Sequence, residues 1–330
     1  MIIPFFVPEL ACPNRCIFCN QHTISGWVKP LETKEIKPRI EQYLQSFKED
    51  GRKIEVAFFG GNFTGIDIET QKDYLQEVKP YIDNKIIDSV RISTRPDYIS
   101  EDKLIFLKRH GVKTIELGAQ SFDNEVLAKS GRGHNSETTV EAANLINKHG
   151  FDLGLQMMVG LPGDTEEKAI NTAKTIVSLG AKNTRIYPTL VLHGTQLQNM
   201  YDQNLYQALT IQQAVNQAAK IVPIFVDANV EILRIGLHPS TDLQDGSGFV
   251  AGPYHPAFGD LVYSKVWENI FEELKTESKS IIISVPQKQI NSAIGHKSVN
   301  KISLLKRFNE VKIIGDDKLT KMFDYHVDYC

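Results

Sequence analysis

Four cysteines in 330 residues are too few for a disulfide framework, which is the device of short secreted chains dense in cysteine. No apolar run approaches the roughly 20 residues that a membrane-spanning helix needs. No internal repeat and no low-complexity tract is visible, which excludes solenoids and compositionally biased linkers. The apolar start, residues 1–10, lacks a basic leader and is short for a signal peptide's apolar region plus cleavage site. These absences lead us to expect a cytoplasmic protein with no membrane contact. With 42% apolar and 23% charged residues the chain can bury a large core, as one big α/β domain with an appendage.

What the chain does have is concentrated near its start. Cys12, Cys16 and Cys19 are spaced C-x3-C-x2-C, with Phe18 just before the third. Three thiolates at this spacing can ligate three irons of a 4Fe-4S cluster and leave the fourth open, to chelate a small ligand and pass it an electron. Zinc is the competing ligand-set reading. It wants four closed ligands, and the only other cysteine is Cys330 at the far end, with His22 the one nearby residue to complete a set. The cysteines therefore point to a redox enzyme, and low-potential iron-sulfur chemistry suits a reducing compartment.

Apolar runs alternate with helical patterns along most of the chain. Strands are expected at 2–7, 54–59, 89–93, 114–117, 153–159, 184–190 and 230–235, with amphipathic helices between them at 33–47, 101–109, 136–148, 166–178 and 209–221. This order argues for a parallel β/α barrel, partial or complete, over residues 1–278. Chemistry in such a barrel sits at the C-terminal ends of the strands, where the loops share one mouth. The cysteine loop, Gly60-Gly61-Asn62, residues 94–97, Gln120-Ser121 and residues 160–163 all fall there. Residues 236–259 form a Gly, Pro and Asp-rich connection longer than most, and such loops are often functional. Residues 279–330 read as a separate small α/β appendage: strand 280–285, helix 287–293, a turn at Gly295, helix 299–307, strand 310–314.

The cysteine spacing with its adjacent aromatic resembles the radical S-adenosylmethionine (SAM) superfamily. F-F-G-G-N-F-T-G (58–65), I-S-T-R-P-D-Y-I (92–99), E-L-G-A-Q-S-F-D (116–123) and Q-M-M-V-G-L-P-G (156–163) resemble the radical SAM core shared by the Elongator catalytic-subunit family and oxygen-independent coproporphyrinogen III oxidase. R-I-Y-P-T-L-V-L-H-G-T (185–195) is similar to the Elongator-type core in particular. The resemblance covers roughly residues 2–260, and the Elongator subunit's acetyltransferase domain has no counterpart in it. It implies a 4Fe-4S cluster and SAM as cofactors and a flavodoxin- or ferredoxin-type electron donor. Residue by residue, it implies that Cys12, Cys16 and Cys19 ligate iron, with Phe18 beside them. Gly60 and Gly61, and Asn62 where relatives carry Glu, would meet the methionine amino group through bare backbone. Ser93 and Gln120 would approach the ribose or methionine portion, Arg132 the SAM carboxylate, Gln156 the ribose hydroxyls and Met158 the adenine. Tyr187, His193, His238 and His255 lie on the late strands or the long loop and are the substrate-side candidates.

Residues 281–330 hold eight Lys or Arg against five Asp or Glu, a local +3 in a chain of net −3, which leaves −6 for the rest. Within this basic stretch, residues 290–302 resemble a degenerate KH-type turn between two helices, with Gly295, His296 and Lys297 in place and Ser298 where the second glycine belongs. A basic turn on an acidic body hints at a polyanion. The function expected is radical modification of RNA, tRNA in particular. The alternative is a small-molecule or tetrapyrrole radical SAM enzyme, or a heme-handling protein, related to coproporphyrinogen oxidase.

Overall fold

The computed structural model describes residues 1–7, 12, 16–20, 23, 29, 31–47, 51–238, 240–275 and 279–330. His22, weighed above as a zinc ligand, lies outside the described residues, as do residues 276–278 at the expected boundary between barrel and appendage.

The chain runs β1 (Ile2–Phe6), α1 (Ile36–Ser46), β2 (Glu55–Phe59), α2 (Ile68–Asp83), β3 (Ser89–Thr94), α3 (Glu101–Arg109), β4 (Val112–Gln120), α4 (Asn124–Lys129), α5 (Ser136–Lys148), β5 (Asp152–Val159), α6 (Glu166–Ser178) and β6 (Asn183–Pro188). It continues with β7 (Val191–Leu192), α7 (Gln196–Asp202), α8 (Ile211–Asp227), β8 (Glu231–Ile235), α9 (Thr241–Gln244), β9 (Phe249–Ala251) and α10 (Phe258–Glu272). The last stretch is β10 (Ser280–Pro286), α11 (Ile290–Ile294), α12 (Val299–Leu305), β11 (Glu310–Asp316) and β12 (His326–Tyr329).

Seven strands pair in parallel in the order β1-β2-β3-β4-β5-β6-β8 and curl into a half-barrel, so the barrel is partial among the described residues. Strand period decides what each face of this sheet meets, because successive side chains point to opposite sides. Ile3, Phe5, Val56, Phe58, Val90, Ile92, Ile115, Leu117, Leu153 and Leu155 face outward and are at most 1% exposed in one core with the helices. Each such side chain contributes about 1.5–3 kcal/mol on leaving water, so the outer face holds the fold together. The inner face is spared that task and carries polar and charged residues.

Helix starts follow capping chemistry. Asp67, Asp123, Asn135, Thr165, Thr195 and Thr210 each accept a hydrogen bond from a first-turn backbone N–H. The expected end of the helix near 221 is corrected: α8 runs through Pro223 to Asp227. Proline removes a backbone N–H and normally stops a helix. Here Val222 and Phe225 are fully buried and keep the helix on the core.

The long connection 236–259 is not structureless. It contains α9 and β9, and β9 pairs antiparallel with β7. Leu190, Leu192 and Leu243 form a small core there, packed against Leu237, Phe249 and Tyr254. Near the chain end, β10 lies between β11, parallel to it, and β12, antiparallel. The Trp267 and Phe271 side chains of α10 enter the apolar cluster of that sheet, with Ile281, Ile283, Leu304 and Phe308.

Candidate active site

Alternation on the strands brings one inner set to a single cavity of about 600 Å³. Pro4 and Phe6, Phe59, Ser93, Glu116, Gly118 and Gln120, Gln156 and Met158, Arg185 and Tyr187, and Arg234 line it from β1 to β8. The loops at the C-terminal ends add Cys12, Cys16, Phe18, Cys19, Gly60, Gly61, Arg95, Arg132 and His238.

An ion network closes the cavity floor. Arg91 donates to Glu55 (3.0 Å), Glu116 (2.8 Å) and Asn183 (3.3 Å), and Ser89 donates to Glu55 (2.8 Å). Arg185 grips Glu116 with two nitrogens, at 2.7 and 3.2 Å, and lies over the Phe59 ring. Burial opposes the charge on Arg185, but Glu116 outweighs it and holds the guanidinium above its ordinary range. The network leaves no room beneath it: a Cβ at Gly154 would stand 2.5 Å from Asn183 Oδ1 and 2.9 Å from Glu116 Cγ.

At the other end of the cavity, the turn after β2 needs glycine twice, because Gly60 and Gly61 have φ of 76° and 56°, where a Cβ is strained. Asn62 is 1% exposed, and its Oδ1 accepts from Thr94 Oγ1 (2.6 Å) and Arg95 N (3.2 Å). Its side chain therefore ties the β2 turn to the end of β3 and is not in the cavity lining. Gln120, at a register shift in the pairing of β4 with β5, has φ of 68°. A left-handed non-glycine residue costs about 1 kcal/mol or more and persists where the surroundings dictate it. Here Gln120 accepts from Gln156 Nε2 (3.2 Å), so two amides form one polar strip in the wall.

None of the four cysteines is in a disulfide, and only Cys12, Cys16 and Cys19 reach the cavity. Cys16 is 7% exposed and receives an Arg132 N–H at 3.1 Å and an Arg95 N–H at 4.0 Å. Arg132 also donates to the Gly118 carbonyl. Arg95 is fixed by Asp97 at 2.8 and 2.9 Å. Burial works against its charge, and Asp97, then Cys16 and Cys12, more than offset it. Among the described residues no three His, Cys, Asp or Glu side chains converge on a single metal ion. A cubane does not ask for that, since each of three irons takes one thiolate. Three soft donors on one cavity wall, beside two guanidiniums, fit a cluster better than a closed zinc set.

Most sequence-predicted residues meet here: the three cysteines, Phe18, Gly60, Gly61, Ser93, Gln120, Arg132, Gln156, Met158, Tyr187 and His238. His193 does not. It is exposed, and its main-chain N–H and C=O serve Gly248 and Asn20. His255 also stays outside the lining, with its ring against His296. Gly295 is buried against α10, where a Cβ would meet Asn300 N at 2.9 Å and Ser264 Oγ at 3.0 Å, and His296 N donates to Ser264 Oγ. Lys297 and Ser298 remain exposed. Sequence reasoning placed Arg95 at the mouth without giving it a role, and it missed Glu116, Arg185 and Arg234. The signal for the last three was a charge inside an otherwise apolar strand, as in T-I-E-L, T-R-I-Y and I-L-R-I.

A profile of the radical SAM superfamily matches residues 9–176, and one of the Radical_SAM C-terminal domain matches residues 181–268. A tRNA uridine(34) acetyltransferase of Methanocaldococcus jannaschii is 29% identical over 216 residues, 58% of this chain and 40% of that protein. The oxygen-independent coproporphyrinogen-III oxidase-like protein HemZ of Bacillus subtilis is 30% identical over 168 residues, 46% of this chain and 32% of its own length. Among solved structures, the archaeal Methanocaldococcus infernus Elp3 lacking residues 1–46 superposes with a TM-score of 0.65 at 24% identity, covering 81% of this chain and 63% of that one. The chain spans about half the length of the curated relatives it matches.

Proposed function

The chain belongs to the radical SAM superfamily, an enzyme family whose cofactors are a 4Fe-4S cluster and SAM, and on that footing we propose that it cleaves SAM reductively to modify a tRNA nucleotide. The observation that carries the proposal is the single cavity onto which Cys12, Cys16 and Cys19 open together with Gly60, Gly61, Gln120 and Gln156. When bound, cluster and SAM supply a 5′-deoxyadenosyl radical after one-electron reduction.

The protein's own residues bind, orient and exclude water. The three cysteines hold three irons. Arg132 and Arg95 direct N–H groups at Cys16, so in this reading Arg132 steadies the cluster side of the cavity rather than the SAM carboxylate. Gly60 and Gly61 leave backbone open to the methionine amino group, the Gln120–Gln156 pair faces the ribose, and Met158 borders adenine. Phe6, Phe18 and Phe59 keep the lining apolar around these contacts. Tyr187 and His238 stand on the substrate side. The electron donor is of flavodoxin or ferredoxin type, and the cytoplasm is the compartment.

The tRNA target is supported by the names of relatives and by the basic residues after position 280. One observation favours a small-molecule substrate instead. Gly295 and His296 N are engaged by α10, which leaves only Lys297 and Ser298 of the KH-like turn to meet a phosphate backbone.

The test is anaerobic. Reconstituted protein with dithionite and SAM should yield 5′-deoxyadenosine and methionine, and total tRNA should bind at low salt and weaken with Lys297→Glu. Absence of both products with the cluster present overturns the chemistry. Absence of tRNA binding transfers the target to a small molecule.

A further inference from the structure

Arg185 on β6 and Arg234 on β8 are register partners on neighbouring parallel strands, so two guanidiniums enter the cavity side by side. Only one is neutralised. Arg185 is held by Glu116, the one carboxylate in the cavity lining among the described residues, and Glu116 is already shared with Arg91. Arg234 has no carboxylate partner among the described residues. Its Nε donates to the Gly236 carbonyl and its Nη2 to the Leu237 carbonyl, both at 2.9 Å. Those contacts fix the plane of the guanidinium and leave Nη1 without an acceptor among the described residues, in a side chain that lines the cavity. The neighbouring groups on this wall are donors as well. Burial keeps the Tyr187 phenol protonated, and His238 at the rim is pushed toward its neutral form by burial and by Arg234, so its ring still carries one N–H.

We propose that Arg234, with Tyr187 and His238, forms an anion subsite that receives a carboxylate or phosphate group of the substrate. A fixed cation with spare N–H capacity beside two neutral donors is matched by an oxyanion and mismatched by an amine or a bare hydrocarbon. The subsite lies across the half-barrel from the Gly60-Gly61 turn, so one end of the cavity serves the cofactors and the other anchors the substrate. That division rests on the function proposed above. The subsite itself rests only on this chain's charges, so either can fail alone.

The experiment titrates the reconstituted protein calorimetrically at low salt with four probes: inorganic phosphate, uridine 5′-monophosphate, uridine and succinate. Uridine 5′-monophosphate should bind more tightly than uridine, or succinate should bind in preference to both. The first result assigns the subsite to a nucleotide phosphate, the second to a small carboxylic acid. Arg234→Gln should weaken the preferred anion about tenfold or more, and Arg234→Lys should restore part of it. Arg234 also holds two loop carbonyls, so folding of the variant is checked by its thermal midpoint. If Arg234→Gln does not fold, Tyr187→Phe and His238→Leu remove a donor each without touching those carbonyls, and each should weaken the anion severalfold. Binding of no anion, or equal binding by wild type and these variants, overturns the subsite. Anion binding with no 5′-deoxyadenosine formed leaves the subsite standing and overturns the radical function.

Discussion

Glu116→Gln is the substitution whose cost the structure defines most closely. Glu116 is 3% exposed and accepts three charge-assisted hydrogen bonds, from Arg91 at 2.8 Å and Arg185 at 2.7 and 3.2 Å. Glutamine keeps the shape but removes the charge, and its amide NH2 must face a guanidinium donor. Arg91 retains Glu55, whereas Arg185 is left as a buried cation without a counter-ion. Removing one partner of a buried ion pair costs about 3–5 kcal/mol. With a urea slope of about 3 kcal/mol/M for a chain of this size, the unfolding midpoint should fall by about 1–1.7 M. Equilibrium unfolding followed by circular dichroism measures it. A double-mutant cycle with Glu116→Leu and Arg185→Leu should show the pair costing at least about 1 kcal/mol less than the sum of the single changes, because neither charge is then stranded. A midpoint shift under about 0.3 M for Glu116→Gln, or strict additivity in the cycle, would refute a dry ion network at the cavity floor.

Two further outcomes follow from local geometry. Burial raises the Asp164 carboxyl from 3.8 to about 6, only partly countered by the Gly160 N–H and Gln217 bonds. The folded state therefore binds this proton more tightly than the unfolded state, and stability falls as pH rises from about 4 to about 6. Asp164→Asn keeps an acceptor for the Gly160 N–H and removes the titration, so it should add about 1–3 kcal/mol above pH 7 and flatten that slope. An unchanged pH profile by thermal denaturation would contradict the assignment. Gly295→Ala places a Cβ at φ of 89° and against Asn300 N. It should cost about 1–3 kcal/mol and speed amide exchange across residues 290–300, whereas a silent substitution would mean that the turn is not seated on α10.

The half-barrel was legible because β1 to β6 and β8 carry alternation or apolar runs that the packed outer face enforces. The cysteine set and the Gly60-Gly61 turn were legible for a chemical reason: metal ligands and positive-φ glycines leave local marks in a sequence. Other features have no local mark. β12 pairs with β10 through backbone, but H-V-D-Y buries none of its side chains, so no pattern announces a strand. Arg132 meets Cys16 across 116 positions, and only the closed cavity shows that its guanidinium faces a sulfur. His193 looked like a substrate-side group because it follows β6, yet β7 and β9 pair there and turn it to solvent. The inward arginines were visible as single charges in apolar strands, but which carboxylate neutralises which arginine depends on register between strands far apart in sequence.

The central claim is that three cysteines hold a cluster with one iron open to SAM. Electron paramagnetic resonance of the anaerobically reconstituted, dithionite-reduced protein, recorded with and without SAM, tests it most directly. About four irons per chain, as one cubane requires, should accompany a reduced-cluster signal that shifts when SAM is added. Cys12→Ala, Cys16→Ala and Cys19→Ala should each abolish the signal, and Cys330→Ala should leave both signal and shift intact. A signal indifferent to SAM, or one that survives loss of any of the three cysteines or disappears with Cys330, would contradict the account.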